Sequence, residues 1–219
     1  MHTTEKKPDI PPSYEVHISP TTTPGTSSSA GPGFCVLRDY DLKTILSVVT
    51  GQDSTRILLP ASIENNHGYD FVLVLPRPEN KATIDRLLQQ GIEKYFQVSI
   101  TLEERTVDVY VMTALEGQTP KETDSGGAFS CSRLLLDRTR PGFEISAFSH
   151  DISEFRSTLE HTLQRPIIDE TNLQGTYDLA LNAKARDTAG FLQQLRDQLG
   201  LVLTPAQRRI ETLVVTPRP

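Results

Sequence analysis

A recurrence between two halves of the chain constrains its fold more than any other sequence feature. Residues near the end of the first half have counterparts of the same or similar type 103 positions later. Farther upstream, Tyr69-Asp70 precedes Tyr177-Asp178 by 108 positions, and Asp41 precedes Asp151 by 110, as expected if only loop lengths differ. We therefore predict an internal repeat. The matches at 103 positions pair Ile92, Phe96, Val98, Ile100, Arg105, Val111 and Thr113 with Leu195, Leu199, Leu201, Leu203, Arg208, Val214 and Thr216.

Each half has the same predicted order of elements. A strand and a helix come first, then two strands, a second helix and two final strands. The sequence predicts an α+β fold of two similar strand-helix-strand-strand-helix-strand-strand repeats with a flexible N-terminal tail. The first repeat is placed at residues 33–115 and the second at 128–219, and the loop 116–127, with the sequence EGQTPKETDSGG, separates them.

Apolar residues at helical spacing predict four helices, and a run of apolar residues predicts a central strand. The first helix is expected to begin at Asp41, the second to end near Tyr95, the third to begin at Asp151 and the fourth to begin near Thr188. The run FVLVL at residues 71–75 is apolar at every position, which indicates burial on both faces of a sheet. The four apolar stripes are Leu42, Ile45, Leu46 and Val49; Ile84, Leu87, Leu88, Ile92 and Tyr95; Ile152, Phe155, Leu159 and Leu163; and Phe191, Leu192, Leu195 and Leu199.

The first 32 residues are rich in Pro, Ser, Thr and Gly. Such a composition buries too little apolar surface to offset the entropy of ordering, so we predict a flexible tail at 1–32. Within it, residues 14–19 read YEVHIS and place Tyr14, Val16 and Ile18 on one face. This alternation predicts a single strand that docks from the tail onto the body.

Charge and hydropathy narrow the possible functions. The net charge is −6 and the basic residues are scattered, so we expect no binding of nucleic acid. No apolar run approaches the roughly 18 residues that a membrane-spanning helix needs, so we expect no membrane span in the chain. We expect the chain to bind a protein partner whose identity the sequence does not give, and the oligomeric state stays open.

The two cysteines, Cys35 and Cys131, are too few for a cysteine-rich metal cluster and cannot form a CxxC motif. Each lies in a strand-like run. They can be two buried thiols that behave as small apolar side chains. Alternatively they form one structural disulfide, which requires an oxidising compartment.

The segment 167–181, IIDETNLQGTYDLAL, is acidic and rich in turn-forming residues. We interpret it as a structural turn, because Asn and Gly tolerate positive φ and Asp and Thr side chains bond nearby backbone amides. A calcium site is the alternative, but the segment lacks the alternating oxygen ligands and the bidentate Glu of a calcium loop. The predicted turn residues are Asp169, Thr171, Asn172, Gly175, Tyr177 and Asp178.

The stretches YEVHISP, RTVDVYVMTA and the long run from Phe148 to Leu181 resemble a domain-of-unknown-function family expanded in soil acidobacteria. The family pattern Asp-x-Thr-Gly-Leu-x-Gly-x-Tyr-Asp is met from Asp169 to Asp178, with Asn172 where the family usually has Gly. The first half departs more, because the chain has no Trp. The resemblance implies export, in some relatives fusion to BlaR-type sensors or thioredoxin-like domains, and no established activity.

No recognised catalytic constellation occurs in the sequence. There is no GxSxG, Walker or GxGxxG motif and no HxxxH pair. His150-Asp151 fits a helix cap better than a catalytic pair, since Asp151 and Glu154 have the spacing of a capping box. Glu160-His161 is expected on a solvated helix face, and Glu103-Glu104 in a bend between two strands.

The functional expectation is a non-catalytic envelope or secreted domain, periplasmic or extracellular, which binds a protein or senses a ligand. No cofactor or metal is expected. Two alternatives stay open. One is an accessory of thiol-disulfide chemistry, suggested by the two cysteines, and the other is a hydrolase with an unrecognised site.

Overall fold

The computed structural model describes residues 8–31, 33–63, 67–122, 143–149, 151–174, 176–185 and 187–218. Within these residues the fold mixes helices with strands in the α+β manner. The helices are α1 (Leu42–Thr50), α2 (Lys81–Phe96), α3 (Ile152–Leu163) and α4 (Thr188–Leu199). The strands are β1 (His17–Pro20), β2 (Ser27–Gly31), β3 (Phe34–Tyr40), β4 (Ile57–Leu58), β5 (Tyr69–Val74), β6 (Val98–Ala114), β7 (Phe143–Ser149), β8 (Ile167–Asp169), β9 (Leu179–Ala185) and β10 (Leu201–Pro217).

All four helices begin at a residue whose side chain accepts hydrogen bonds from the first-turn amides. Asp41 caps α1, Asn80 caps α2, Asp151 caps α3 and Asp187 caps α4. These short acceptors satisfy amides that have no partner within the helix, so the sequence sets each start locally. Each helix ends at a residue in the left-handed conformation, which is Gly51, Gln97, Gln164 or Gly200 in chain order.

The described residues divide into two compact units. Unit 1 contains the residues up to Glu104 and those from Glu211, and unit 2 contains Arg105–Ile210. The division falls inside β6 and β10, whereas the sequence prediction separated the two repeats at the loop 116–127. Each unit therefore draws strand residues from both halves of the chain.

Unit 1 contains a sheet in the order β1-β5-β3-β2. Strand β5, which holds the apolar run beginning at Phe71, pairs with β1 on one side and β3 on the other. Phe71 and Leu73 are fully buried. Helices α1 and α2 contribute Ile45, Leu46 and Ile92 to the same core.

Unit 2 has a core of its own. Helices α3 and α4 bury Phe155, Leu159, Phe191 and Leu195 in one cluster. Strands β7 and β9 pair antiparallel from Phe143↔Ala185 to Ser149↔Leu179. Strand β8 pairs parallel with β6 through Tyr110↔Ile167.

Each of the two predicted pairs of final strands is one continuous strand. Both β6 and β10 are 17 residues long. The expected bend at Glu103-Glu104 is wrong, because both residues lie within β6. The sequence there contains no Gly or Asn that would favour a turn, and residues 101–108 of the strand are exposed or half-buried. The first fifteen positions of β6 and β10 have the same pattern of burial.

The N-terminal segment, of which residues 8–31 are described, contains two strands, whereas the sequence predicts one docking strand in a flexible tail. Strand β1 pairs with β5, and β2 pairs with β3 from Ser27↔Arg38 to Gly31↔Phe34. Strand β2 reads SSSAG, so its place in the sheet depends on backbone hydrogen bonds and not on apolar burial. A composition rule counts side chains alone and therefore misses such a strand.

Among the helices that the structure describes, none has the length and apolar character that crossing a membrane requires.

Candidate functional site

A cleft of about 620 Å³ lies in unit 1, between the N-terminal segment and α2. Its volume falls in the range of small-molecule pockets. One wall is five consecutive residues, 14–18. The other wall is one stripe of α2, in which residues recur at helical spacing. The stripe consists of Leu87, Gln90, Gly91, Lys94 and Tyr95.

Gly91 allows the N-terminal segment to approach α2 closely. A Cβ atom at this position would lie 2.8 Å from the Cβ of Val16, closer than real side chains come. Glycine costs a helix about 1 kcal/mol relative to Ala. The close approach explains its presence, because Val16 and Ile18 thereby pack against the core of unit 1.

The cleft lies at an edge of the four-stranded sheet. Strand β1 stands first in the order β1-β5-β3-β2, and among the described residues β5 is its sheet neighbour. The pairing runs from His17↔Val72 to Pro20↔Tyr69. The residues that line the cleft, 14–18, thus include the first part of an edge strand and the chain that leads into it.

Tyr14 is held at the cleft by Glu79. The Tyr14 hydroxyl donates a hydrogen bond to Glu79 Oε1 at 3.1 Å, and Arg77 Nε donates to the same oxygen at 2.9 Å. The hydrogen bond from Arg77, followed by that from Tyr14, lowers the pKa of the Glu79 carboxyl. Glu79 is therefore ionised at neutral pH and fixes the hydroxyl end of Tyr14. The tyrosine still leaves 42% of its surface exposed.

Tyr95 provides a second aromatic side chain to the cleft. Its ring makes edge contacts with Tyr69 and Phe96, with centroids 6.2 and 4.9 Å away. It is 43% exposed, so the prediction that Tyr95 belongs to the core stripe of its helix is wrong. Position 95 lies on the flank of α2 that the N-terminal segment only partly covers. Exposed tyrosines that are fixed by packing are typical of binding surfaces.

The formal charges that line the cleft are balanced. Lys94 Nζ lies 3.3 Å from Glu15 Oε1, and their side chains are 79% and 76% exposed. Such an exposed ion pair contributes little to stability. The two formal charges that line the cleft therefore cancel.

The predicted turn at residues 167–181 is held by local hydrogen bonds. Asp169 Oδ1 accepts from the backbone N–H of Thr171 at 2.9 Å and from its hydroxyl at 2.7 Å. Asn172 has φ of 57°, in the left-handed region. The Tyr177 hydroxyl donates to the carbonyl oxygen of Gln174 at 3.1 Å. These hydrogen bonds all join residues within the segment and stabilise it as a turn.

The same segment also contacts the loop that follows β6. The backbone N–H of Asp178 donates to the carbonyl oxygen of Lys121 at 2.8 Å, and Tyr177 forms a β-bridge with Glu122. Gly175, which the sequence also assigned to the turn, lies outside the described residues. Among the residues that are described, no group of three His, Cys, Asp or Glu side chains is placed to hold a metal ion.

Cys35 is a buried thiol in β3 and has no disulfide partner among the residues that the structure describes. Burial, with a further contribution from Asp85, raises the pKa of this thiol. A raised pKa keeps the sulfur protonated and weakly nucleophilic. Cys131 and His150 lie outside the described residues, so the predicted disulfide with Cys35 stays a prediction.

The expectation that Glu160 is solvated is wrong. Its side chain is 1% exposed, and Oε1 accepts a hydrogen bond from the backbone N–H of Ile167 at 2.7 Å. In unit 1, Glu93 Oε1 similarly accepts from the N–H of Ile100 at 3.2 Å. In each case a glutamate near the helix end bonds an amide seven residues later and fixes the following strand. His161 is exposed.

The sequence analysis did not predict the cleft, although two sequence features of its walls were visible. The alternation of Val16 and Ile18 indicated docking, and Gly91 interrupts a helix that otherwise favours longer side chains. Neither pattern shows that the two segments meet. A residue that is exposed on α2 by periodicity alone, such as Gln90 or Lys94, becomes part of a site only through the position of residues 14–18.

A family model described as "Protein of unknown function (DUF3738)" matches residues 45–217. Comparisons with curated proteins and with solved structures gave no match.

Proposed function

The chain belongs to the DUF3738 family of proteins of unknown function, and from this premise we propose that it is a non-catalytic binding domain whose ligand occupies the cleft of unit 1. The cleft carries the proposal. It combines an adequate volume with two partly exposed tyrosines, apolar side chains and a few polar groups, the mixture expected of a ligand pocket.

The proposed role is recognition of a partner or ligand outside the cytoplasm. Export to the periplasm or beyond rests on the resemblance of the sequence to exported proteins. The alternative of thiol-disulfide chemistry is disfavoured, because burial raises the pKa of the Cys35 thiol and limits its access to another protein.

The proposal includes an internal repeat whose halves exchange strand segments. Leu213 pairs with Ile57 in unit 1, and Tyr110 pairs with Ile167 in unit 2, both in parallel strands. Leu213 follows Tyr110 by 103 positions and Ile167 follows Ile57 by 110, which are the offsets of the sequence recurrence. Residues related by these offsets thus form corresponding pairs, which supports the proposed repeat, and each pair joins the two halves of the chain.

A fragment screen with two matched variants tests the assignment of the cleft. Gln90→Trp places a large side chain in the cleft at an exposed helix position, and Ala82→Trp places the same side chain on an exposed position of α2 that does not line it. Ligand-observed NMR with a library of uncharged fragments is the measurement. We expect fragments that bind wild type and Ala82→Trp but lose binding to Gln90→Trp. Fragments that bind all three proteins equally, or none of them, would contradict the proposal.

A further inference from the structure

We infer that the occupant of the cleft is an extended, uncharged peptide segment that adds to the sheet as a further strand beside β1. The inference rests on the proposed function and specifies the class of ligand. It combines the open edge of β1, the spacing of the α2 stripe and the balanced charge of the cleft.

The first step concerns the edge of the sheet. In an antiparallel pair, alternate residues direct their N–H and C=O groups away from the partner strand. Strand β1 pairs with β5, and the sheet order gives it no second neighbour among the described residues. Backbone groups on its outer side are therefore available to an added strand. Pro20 ends β1 and has no N–H, which confines such pairing to the part of the segment that lines the cleft.

The second step concerns the opposite wall. Gln90 and Lys94 are one helical turn apart, which is about 6 Å along the axis of α2. Alternate residues of an extended peptide are about 6.8 Å apart. A peptide that runs along β1 therefore directs successive same-face side chains toward successive turns of α2. The apolar surface there comes from Leu87 and Tyr95, so apolar residues are expected at positions i and i+2.

The third step concerns charge. Lys94 Nζ lies 3.3 Å from Glu15 Oε1, and the two formal charges that line the cleft cancel. A charged peptide side chain would therefore meet no net opposite charge in the cleft while losing part of its hydration. Tyr14 and Tyr95 instead offer ring surface, and the amide of Gln90 offers a neutral hydrogen-bonding group. The cleft thus selects uncharged segments.

A library of phage-displayed ten-residue peptides, selected on the immobilised full chain, tests the inference. We expect enriched peptides with apolar residues at i and i+2 and no charge between them. An enriched peptide should bind wild type and Ala82→Trp alike, and Gln90→Trp at least tenfold more weakly by fluorescence anisotropy. N-methylation of alternate backbone amides separates strand addition from binding by side chains alone. In one alternating set it should weaken binding at least tenfold, and in the other set it should have little effect.

The outcomes separate this inference from the proposed function. If the peptides bind in the cleft but tolerate N-methylation in both sets, strand addition is wrong and the cleft remains a binding site. If fragments bind the cleft and no peptide is enriched, the peptide class is wrong. If enriched peptides bind Gln90→Trp as well as wild type, peptide binding at this site is refuted.

Discussion

Asn172 adopts φ of 57° in the turn between β8 and β9. A β-branched residue in this conformation is strained by about 1–2 kcal/mol, whereas Gly is not. We therefore expect Asn172→Val to lower the free energy of unfolding by about 1–2 kcal/mol, and Asn172→Gly to leave it nearly unchanged. Urea denaturation measures both. The results should be the same in EDTA and in calcium, and a calcium-dependent difference would indicate a binding loop instead.

Glu160 is the buried carboxylate that accepts from the N–H of Ile167. Glu160→Ala leaves this buried amide without its acceptor, so we expect the free energy of unfolding to fall by about 1–3 kcal/mol. The neighbouring substitution His161→Ala is the control, because that side chain is exposed and should change stability by less than about 0.5 kcal/mol. Equal losses for the two variants in urea denaturation would contradict this role of Glu160.

Cys35 predicts a pH dependence of stability. Burial raises the pKa of its thiol in the folded state, so above the ordinary thiol pKa the unfolded chain releases a proton that the folded chain keeps. Stability should therefore fall as pH rises from that value through the folded pKa. Cys35→Ala removes this contribution and should show a flatter profile at alkaline pH in urea denaturation. Parallel profiles for the two proteins would show that Cys35 ionises equally in both states.

At the scale of elements, Gly91 permits the contact between the N-terminal segment and α2. Gly91→Leu should displace Val16, because even a Cβ atom at position 91 would lie 2.8 Å from the Cβ of Val16. We expect amide hydrogen exchange to accelerate at residues 17–19 and at the β5 amides that bond to β1, while protection persists in β3 and in the β5 amides that bond to β3. Stability should fall by about 1–3 kcal/mol, as for other overpacked sites.

Gln90→Ala is the matched control for Gly91→Leu, since Gln90 is exposed on the same stripe of α2. It should leave the exchange of β1 unchanged. Unaltered protection at residues 17–19 in Gly91→Leu would mean that β1 is held by its pairing with β5 alone.

At the scale of the whole molecule, each compact unit contains strand residues from both halves of the sequence. A protease site inserted between residues 127 and 128 allows the chain to be cut between the two halves after folding. We expect the cleaved fragments to co-elute in size-exclusion chromatography and to separate only in denaturant. Fragments that separate without denaturant, each with its own cooperative unfolding transition, would contradict the exchange of strand segments.

Local features of the molecule were accessible from the sequence alone. Asp41 and Asp151 begin helices, and the apolar run at 71–74 is an interior strand, because caps and periodicity act within a few residues. The turn residues Asp169 and Asn172 likewise act on backbone close to them. Strand β2 was not accessible, since its serines carry no apolar signal.

Tertiary structure decided which distant segments meet. The sequence predicts two final strands per repeat, but only the fold shows that β6 and β10 are continuous and contribute residues to both units. The same is true of the cleft, because Gln90, Lys94 and Tyr95 become a site only when residues 14–18 lie against α2. Patterns of spacing record which side of an element is apolar. The choice of partner depends on strand edges and close approaches such as Val16 on Gly91, which arise between residues far apart in the chain.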